Sequence, residues 1–260
     1  MRLGASDRGS RRARLWPALA VCWTLGACAS PGDMPTAEQA AQRQLAELSA
    51  RPVEVQDPLY VADPLEGANR RLYKFNAQFD RHVFIPVVET YVDVTPRFVR
   101  DRVSAFFLNI GEVNTFINSV LQASPRKATA TLIRFAVNST VGLLGLFDVA
   151  SQLQIPRESE DFGQTLGRWG VGAGPYLVLP VLGPSNLRDA VGTAIDWATF
   201  SFIVPGSVEA EPAYMAAQYG LQPVDTRYRI PFRYHSTGSP FEYELVRFVT
   251  MKAREAQIGK

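Results

Sequence analysis

Apolar residues recur with helical spacing in the stretch 95–123. At about 100° of rotation per residue, the apolar side chains of 98–121 fall within roughly half of the helix circumference, and polar residues cover the other half. Asn109 and Asn114 lie inside the apolar arc, where a dry environment would require hydrogen-bond partners for them. The pattern favours a buried core helix, and a helix lying in a membrane interface is the alternative.

A capping residue followed by proline occurs repeatedly beyond residue 60. Proline suits the first helical position because its missing N–H would be unpaired there anyway. The pairs begin at Asp63, Thr95, Ser124 and Ser239. Together with the apolar periodicity they predict an all-α fold with helices at 65–79, 95–123, 126–135, 186–200 (after a cap at Ser185), 211–219 and 241–256.

Glycine and proline interrupt the helical pattern between residues 163 and 184. This stretch is too rich in both residues to form a long helix. Its apolar run, 176–182, is far shorter than the roughly 20 residues that cross a bilayer as a helix. It therefore predicts a loop or hairpin that packs inside the protein or touches lipid. No transmembrane helix is predicted in the mature chain.

Residues 1–27 have the features of a signal peptide. Arginines up to Arg14 precede a short apolar stretch, 15–24. The sequence Leu-Gly-Ala before Cys28 resembles the lipobox of bacterial lipoproteins, in which the cysteine is acylated and becomes the mature amino terminus. A chance cysteine after a cleavage site is the alternative. Two acyl chains on Cys28 would hold the protein firmly on a membrane, and Ala29, where an aspartate would favour inner-membrane retention, indicates the outer membrane.

The rest of the chain divides into a tether and a folded domain. Residues 28–57 are predicted to be an acylated tether, with one exposed helix in the Ala/Gln/Glu-rich segment 37–50. All 15 phenylalanines lie beyond it. The folded domain is therefore expected to run over 58–256.

The net charge and the available side chains exclude several classes of function. Removing the five arginines and one aspartate of residues 1–27 leaves 22 basic and 24 acidic residues, a net charge of −2, which disfavours nucleic-acid binding. Neither His82 nor His235 has a second ligand at metal-binding spacing. The acidic cluster 158–161 is interpreted as a solvated turn or a helix start. We therefore predict no catalytic residues, no metal and no cofactor.

Five sequence blocks carry a resemblance to a known family. They cover roughly residues 58–200 in uninterrupted order and extend weakly to the last predicted helix. Together they resemble the MlaA (VacJ) family of outer-membrane lipoproteins. The blocks are DPLEGANR at 63–70, FAVNSTVGLLGLFD at 135–148, DFGQTLG at 161–167, GPYLVLP at 174–180 and LRD at 187–189.

The resemblance implies a fold and a function that periodicity does not supply. It implies a single ring-like helical domain in the periplasmic leaflet of the outer membrane, with a central amphipathic channel. Such proteins remove mislocalised phospholipids from the outer leaflet and pass them to the soluble periplasmic carrier MlaC. This transport maintains lipid asymmetry without enzymatic chemistry. The proteins also associate with trimeric porins. A lipoprotein that only scaffolds a porin and a lipid-active hydrolase are the alternatives.

The same resemblance suggests residues of the lipid pathway. The Gly/Pro-rich stretch is expected to form part of the channel wall, with tight-turn packing as the alternative. A helix start is expected at the polar mouth of the channel, with a simple surface ion pair as the alternative. Asn69 and Asn76, which share one helical face, are expected to satisfy buried backbone groups. The candidate pathway residues are Gly170, Gly172, Gly174, Pro175, Tyr176 and Leu179 in the stretch, and Arg188 and Asp189 at the helix start.

Overall fold

A long, uninterrupted helical run lies near the start of the region 61–259. The computed structural model describes residue 42 and residues 61–259, so the signal peptide, Cys28 and, apart from residue 42, the predicted tether helix lie outside the described residues. Helix α1 (Glu66–Phe79) continues through a π-helical segment, Asp80–Phe84, into α2 (Ile85–Val94). Pro86 lies at the start of α2. A proline inside a helix lacks an N–H and crowds the carbonyl one turn earlier, and a wider π-helical turn relieves both problems.

Two antiparallel helices follow. Helix α3 (Arg97–Leu121) and helix α4 (Pro125–Thr140) are joined by a three-residue turn and pack along each other. Ser124 precedes Pro125 at the start of α4, as the Ser-Pro pair predicts. The prediction of two helices here is confirmed, although the second extends five residues further than expected.

Short helices and a β-hairpin occupy the middle of the chain. Helices α5 (Val149–Gln152) and α6 (Phe162–Arg168) are capped by the side chains of Asp148 and Asp161, so the acidic cluster is a helix start. Strands β1 (Tyr176–Leu179) and β2 (Gly183–Asn186) are antiparallel, with Tyr176 opposite Asn186 and Leu179 opposite Gly183. The sequence predicts a loop or a hairpin for the apolar run 176–182, and the structure forms the hairpin.

Helices also form the carboxyl-terminal third. Helix α7 (Leu187–Ile203) is followed by α8 (Gly206–Glu209), α9 (Pro212–Met215), a second π-helical segment, Ala216–Leu221, and α10 (Gln222–Arg229). The last helix is α11 (Glu242–Ile258). The predicted cap Ser185 is wrong: Ser185 lies in β2, and Asn186 accepts the capping hydrogen bond from the Asp189 N–H. Pro223 follows the second π-helical segment as Pro86 follows the first.

The interior of the described region is mainly polar. Of its buried residues, 21 are polar or charged and nine are hydrophobic. On α3 the buried set contains one apolar residue, Phe107, beside Asn109, Glu112, Thr115, Asn118 and Ser119. The prediction that the apolar face of this helix forms the core is therefore wrong, since much of that face is partly or fully exposed. Among the helices that the structure describes, none combines the length and hydropathy needed to cross a membrane.

Candidate functional site

The β-hairpin is held by Asn69 and Asn76 of α1, the two asparagines that were expected to satisfy buried backbone groups. The side chain of Asn69 donates to the Tyr176 carbonyl at 3.0 Å and accepts from the Val178 N–H at 2.9 Å. Asn76, two turns further along, donates to the Leu179 carbonyl and accepts from the Val181 N–H, both at 2.8 Å. A two-stranded sheet is marginal by itself. Three of these hydrogen bonds give β1 additional backbone partners, and the fourth holds the turn at Val181.

A cleft of about 300 Å³ opens between this hairpin and helices α6, α7 and α11. Leu179, Leu182 and Pro184 of the hairpin form its apolar side. The rest of its lining is polar or charged and is contributed by Asp161, Ser185, Asp189, Thr193, Thr250 and Arg254. We call this site the hairpin cleft.

Arg254 is the centre of the charged side of the hairpin cleft. Its guanidinium donates to both carboxylate oxygens of Asp161, at 2.7 and 2.8 Å, and to Asp189 at 2.7 Å. Burial by itself would lower the pKa of Arg254, but the hydrogen bonds to the two aspartates outweigh it and raise the pKa. Burial would likewise raise the pKa of Asp161, but Arg254 holds it below the ordinary value. Arg254 and Asp161 therefore stay charged at neutral pH.

Two helices must approach closely to assemble these charges. Helices α6 and α7 meet at Gly163 and Gly192, where a Cβ on Gly192 would lie 2.3 Å from the backbone nitrogen of Gly163. A Cβ on Gly163 would lie 2.6 Å from the Asp189 carboxylate. Larger residues would therefore force α6 and α7 apart, and with them Asp161 and Asp189.

Only some of the predicted pathway residues line the hairpin cleft. Leu179 and Asp189 line the hairpin cleft. Arg188 donates to Asp189 at 2.9 and 3.0 Å, and both residues are buried, so they do not form a surface ion pair. Tyr176 is fully buried, in a core cluster with Tyr73, Val178 and Tyr243, and does not line the cleft.

The predicted glycines lie in the loop that connects α6 with the hairpin. Gly170 and Gly174 have φ values of +89° and +69°, which are typical of tight turns. Gly172 has no such constraint, and a Cβ there would point into open space. Pro175 accepts a backbone hydrogen bond from Leu187 at 3.0 Å and ties this loop to α7. Tight-turn packing therefore accounts for Gly170 and Gly174 but not for Gly172.

Sequence reasoning missed most of the polar side of the hairpin cleft. Thr250 and Arg254 lie one turn apart on α11, where the family resemblance is weak. Arg254 is 93 residues from Asp161 in the chain, so no local spacing connects them. The signals for Asp161 were the acidic cluster before α6 and the block DFGQTLG at 161–167, and neither points to Arg254.

A second charged network stabilises the pair α3 and α4. Arg134 of α4 is fully buried and donates to Glu112 at 2.9 Å, to Asp148 at 2.9 and 3.1 Å and to the Ile155 carbonyl at 2.6 Å. Arg157 approaches the same two carboxylates, at 3.6 and 3.2 Å. Burial raises the pKa of Glu112 despite both arginines. The network contains two arginines and two acids, and Asp148 belongs to the block 135–148.

The family model described as MlaA lipoprotein matches residues 61–257. The chain belongs to the MlaA lipoprotein family. The resemblance carried by the five blocks is therefore confirmed. Those blocks place Asn69, Asp161 and Asp189 in the hydrogen bonds around the hairpin and its cleft, and Asp148 in the network of Arg134.

Three relatives are similar in sequence over half of this chain or more, and two of them carry the MlaA name. A protein of Rickettsia felis is 34% identical over 202 residues, which are 77% of this chain and 79% of the relative. The intermembrane phospholipid transport system lipoprotein MlaA of Escherichia coli K12 is 38% identical over 139 residues, 52% of this chain and 55% of the relative. The protein of the same name in Haemophilus influenzae is 33% identical over 169 residues, with coverages of 64% and 66%.

A solved structure is similar in fold. It was described in work on the structural basis for maintenance of bacterial outer membrane lipid asymmetry. Its chain is 30% identical in sequence and has a TM-score of 0.62 to this protein, covering 76% of this chain and 100% of that chain. The predicted all-α fold class is confirmed by the helices described above and by this similarity to an MlaA structure.

Proposed function

We propose that this chain is an outer-membrane lipoprotein that removes mislocalised phospholipids from the outer leaflet through an amphipathic channel and so maintains lipid asymmetry. The two named MlaA relatives are lipoproteins of the intermembrane phospholipid transport system, and the similar solved chain was studied for outer-membrane lipid asymmetry. The observation that carries the proposal is the amphipathic lining of the hairpin cleft.

A phospholipid needs polar partners for its headgroup and apolar surroundings for its tails. The hairpin cleft offers both within one site: Arg254 with two aspartates on one side, and Leu179, Leu182 and Pro184 on the other. With the adjacent Arg188, the two arginines and two aspartates balance in charge. Such a set suits a zwitterionic headgroup, whose phosphate binds to guanidinium and whose amine binds to carboxylate. We propose that the lipid pathway passes this cleft.

The apolar exterior supports a position within a membrane leaflet, and the family resemblance favours the periplasmic one. Large apolar side chains are exposed along nearly all of the longer helices, and Phe202 of α7 is 92% exposed. Soluble proteins rarely expose apolar patches of this extent. Because the buried side chains are mainly polar, the described region suits an apolar solvent around it. We propose that acylated Cys28 adds a second, covalent anchor to this surface.

The remaining parts of the proposal rest on the family resemblance. They are the delivery of lipid to the periplasmic carrier MlaC and the association with a trimeric porin. No bond is made or broken in this mechanism, so the protein acts as a conduit rather than an enzyme. Purified protein is then expected to release no fatty acid from phospholipid vesicles. Release of fatty acid would favour the hydrolase alternative instead.

The decisive experiment measures outer-leaflet phospholipid in cells that lack the protein. Deletion is expected to raise it, and the wild type to restore it. Leu182→Asn, in the cleft, is expected to restore it poorly, whereas Leu153→Asn, at a similarly exposed leucine that does not line the cleft, restores it fully. Cys28→Ala is expected to fail through loss of the anchor. Unchanged surface phospholipid after deletion would overturn the transport proposal and favour a porin scaffold.

A further inference from the structure

One arginine of α3 has neither an ion-pair partner nor a hydrogen-bond acceptor within residues 61–259. The guanidinium of Arg102 lies over the ring of Phe98, one turn earlier, at 4.9 Å from the centroid, and over the ring of Phe147, at 4.5 Å. Its Nε is buried, whereas its two terminal nitrogens keep accessible surface. We call Arg102 and its two phenylalanines the arginine cage.

The carboxylates next to the arginine cage do not neutralise it. Asp148 directly follows Phe147 but accepts hydrogen bonds from Arg134 at 2.9 and 3.1 Å and from Arg157 at 3.2 Å. Asp101 is exposed, and consecutive residues of a helix do not face each other. The two rings hold the guanidinium of the cage in place, so little side-chain freedom is lost when an anion binds to it.

A loop of exposed leucines lies beside the arginine cage. It comprises residues 141–147, between α4 and α5, and we call it the leucine loop. Leu143 and Leu144 have φ values of +52° and +60°, which are unfavourable for leucine, and they are 61% and 73% exposed. Gly145 packs on Asn109 of α3, since a Cβ there would lie 2.6 Å from the Asn109 Cβ, and Phe147 ends the loop in the cage. The loop therefore runs along α3 and presents its leucines beside the cage.

We propose that the arginine cage binds the phosphate of a phospholipid in the leaflet around the protein, while the leucine loop lies among the acyl chains. A guanidinium and a phosphate form paired, charge-assisted hydrogen bonds, and exposed leucines are stabilised in apolar surroundings. The proposal rests on the part of the proposed function that places the protein in a leaflet. It deepens that function by adding a lipid contact whose residues do not line the hairpin cleft.

Charge and exposure favour a phospholipid over a protein partner at this site. The occupant must supply an anion with apolar groups directly next to it, and a phospholipid carries its phosphate beside its acyl chains. In protein interfaces, charged residues are depleted from the apolar core. The apolar side chains around the cage come from both elements, because Phe98 and Val99 of α3 are exposed as well as the leucines of the loop. An arginine at a membrane surface likewise keeps its apolar stem among the chains and its charge at the polar level.

The test compares two photoreactive lipids on the full chain in a neutral sugar detergent. Both carry the same photoreactive acyl chain, but one is a phosphatidylethanolamine and the other is a diacylglycerol, which has no phosphate. After illumination, mass spectrometry measures the labelling of peptides that contain 98–102 and 141–147. Arg102→Gln removes the cation of the cage. Arg97→Gln, at an exposed arginine of the same helix that forms no ion pair within the described region, is the matched control.

The phosphatidylethanolamine is expected to label these peptides strongly in the wild type. Arg102→Gln should reduce that labelling at least about fivefold, because the charge-assisted hydrogen bonds are lost, and Arg97→Gln should leave it unchanged. Arg102→Lys keeps a charge without the planar fork and should give an intermediate value. The diacylglycerol should label the peptides weakly and equally in all four proteins.

Two results would overturn the proposal. One is equal labelling of the wild type and Arg102→Gln by the phosphatidylethanolamine. The other is an equal proportional loss with the diacylglycerol, which would mean that Arg102 acts through packing rather than through the phosphate. Denaturant unfolding checks that each variant is folded. If Arg102→Gln does not fold, the comparison of Arg102→Lys with the wild type decides in the same way.

The remaining outcomes separate other occupants from the phospholipid. Stronger competition by inorganic phosphate than by unlabelled phosphatidylethanolamine would indicate a site for free phosphate, and protection of these peptides by a copurified protein would indicate a protein partner. Either would overturn the proposal. Labelling that depends on Arg102, in a protein whose deletion leaves surface phospholipid unchanged, would support the cage and overturn the transport function. Labelling independent of Arg102, with raised surface phospholipid after deletion, would do the reverse.

Discussion

Asn76 fixes the turn of the β-hairpin by accepting a hydrogen bond from the N–H of Val181, 105 residues away in the chain. Val181 has a φ of +65°, an unfavourable backbone conformation for a β-branched residue. The same asparagine side chain donates to the Leu179 carbonyl. Because Leu179 and Leu182 form the apolar side of the hairpin cleft, Asn76 controls the position of that wall without touching the cleft.

Replacing Asn76 by alanine is therefore expected to loosen the hairpin. It removes the acceptor of the Val181 N–H and one donor to the Leu179 carbonyl, at about 1–3 kcal/mol for each group that stays buried and unpaired. Amide hydrogen exchange at Val181 should accelerate strongly. Gln78→Ala, at an exposed position of the same helix, is the control and should not change it. Equal protection of Val181 in both variants would contradict this role of Asn76.

Arg134→Leu is expected to be strongly destabilising. The substitution leaves Glu112 buried with only the more distant Arg157 as a counter-charge, and breaking a buried ion pair typically costs about 3–5 kcal/mol. Lys252→Leu removes one partner of an exposed pair with Glu255 and should change the free energy of unfolding by less than about 1 kcal/mol. Denaturant unfolding in detergent measures the free energy of unfolding of both variants and of the wild type. The double variant Glu112→Leu with Arg134→Leu should recover part of the loss.

The protein is expected to lose stability in acid partly through Glu242. This buried carboxylate accepts hydrogen bonds from Tyr73 at 2.7 Å and from Thr237 and the His235 N–H at 2.6 Å. Burial alone would raise the pKa of Glu242, but these bonds outweigh it and lower the pKa from 4.5 to about 2.

The sign of the pH effect follows from this lowered pKa. The unfolded state binds a proton near pH 4.5 and the folded state only near pH 2, so this stabilisation is complete above pH 4.5 and disappears as the pH falls toward 2. Unfolding measured from pH 6 to pH 2 should therefore show a steeper loss for the wild type than for Glu242→Gln. Parallel curves would mean that Glu242 does not contribute.

Gly172→Trp separates transport from folding. A Cβ at Gly172 would have no neighbouring atom within 4 Å, so the free energy of unfolding should change by no more than about 0.5 kcal/mol. If the loop forms part of the lipid pathway, the variant should leave surface phospholipid high. Gly174→Ala, at a positive φ and close to Leu187, should instead destabilise the protein by about 1–2 kcal/mol. Normal lipid removal by stable Gly172→Trp would exclude this loop from the pathway wall.

Local signals account for the parts of the fold that were predicted. The Ser-Pro pair marks the start of α4 through residues of a single helical turn. The Gly/Pro-rich stretch likewise excludes a long helix whatever its tertiary contacts are. Helix α2 was missed because Pro86 usually marks a helix start or end, whereas here a π-helical segment carries the helix through it. Asn69 and Asn76 were correctly predicted to satisfy backbone groups because their spacing puts them on one helical face.

The sequence by itself determined where most of the longer helices lie, which residues share a face, and membership of the MlaA lipoprotein family. Only the tertiary structure decided which face is buried. Periodicity distinguishes the two faces of α3 but does not show which face is buried. In the structure Glu112 and Asn118 are buried, while apolar residues of the same helix are exposed. The hairpin cleft likewise depends on the approach of α6, α7 and α11, because Arg254 meets Asp161 across 93 residues and no local pattern encodes that contact.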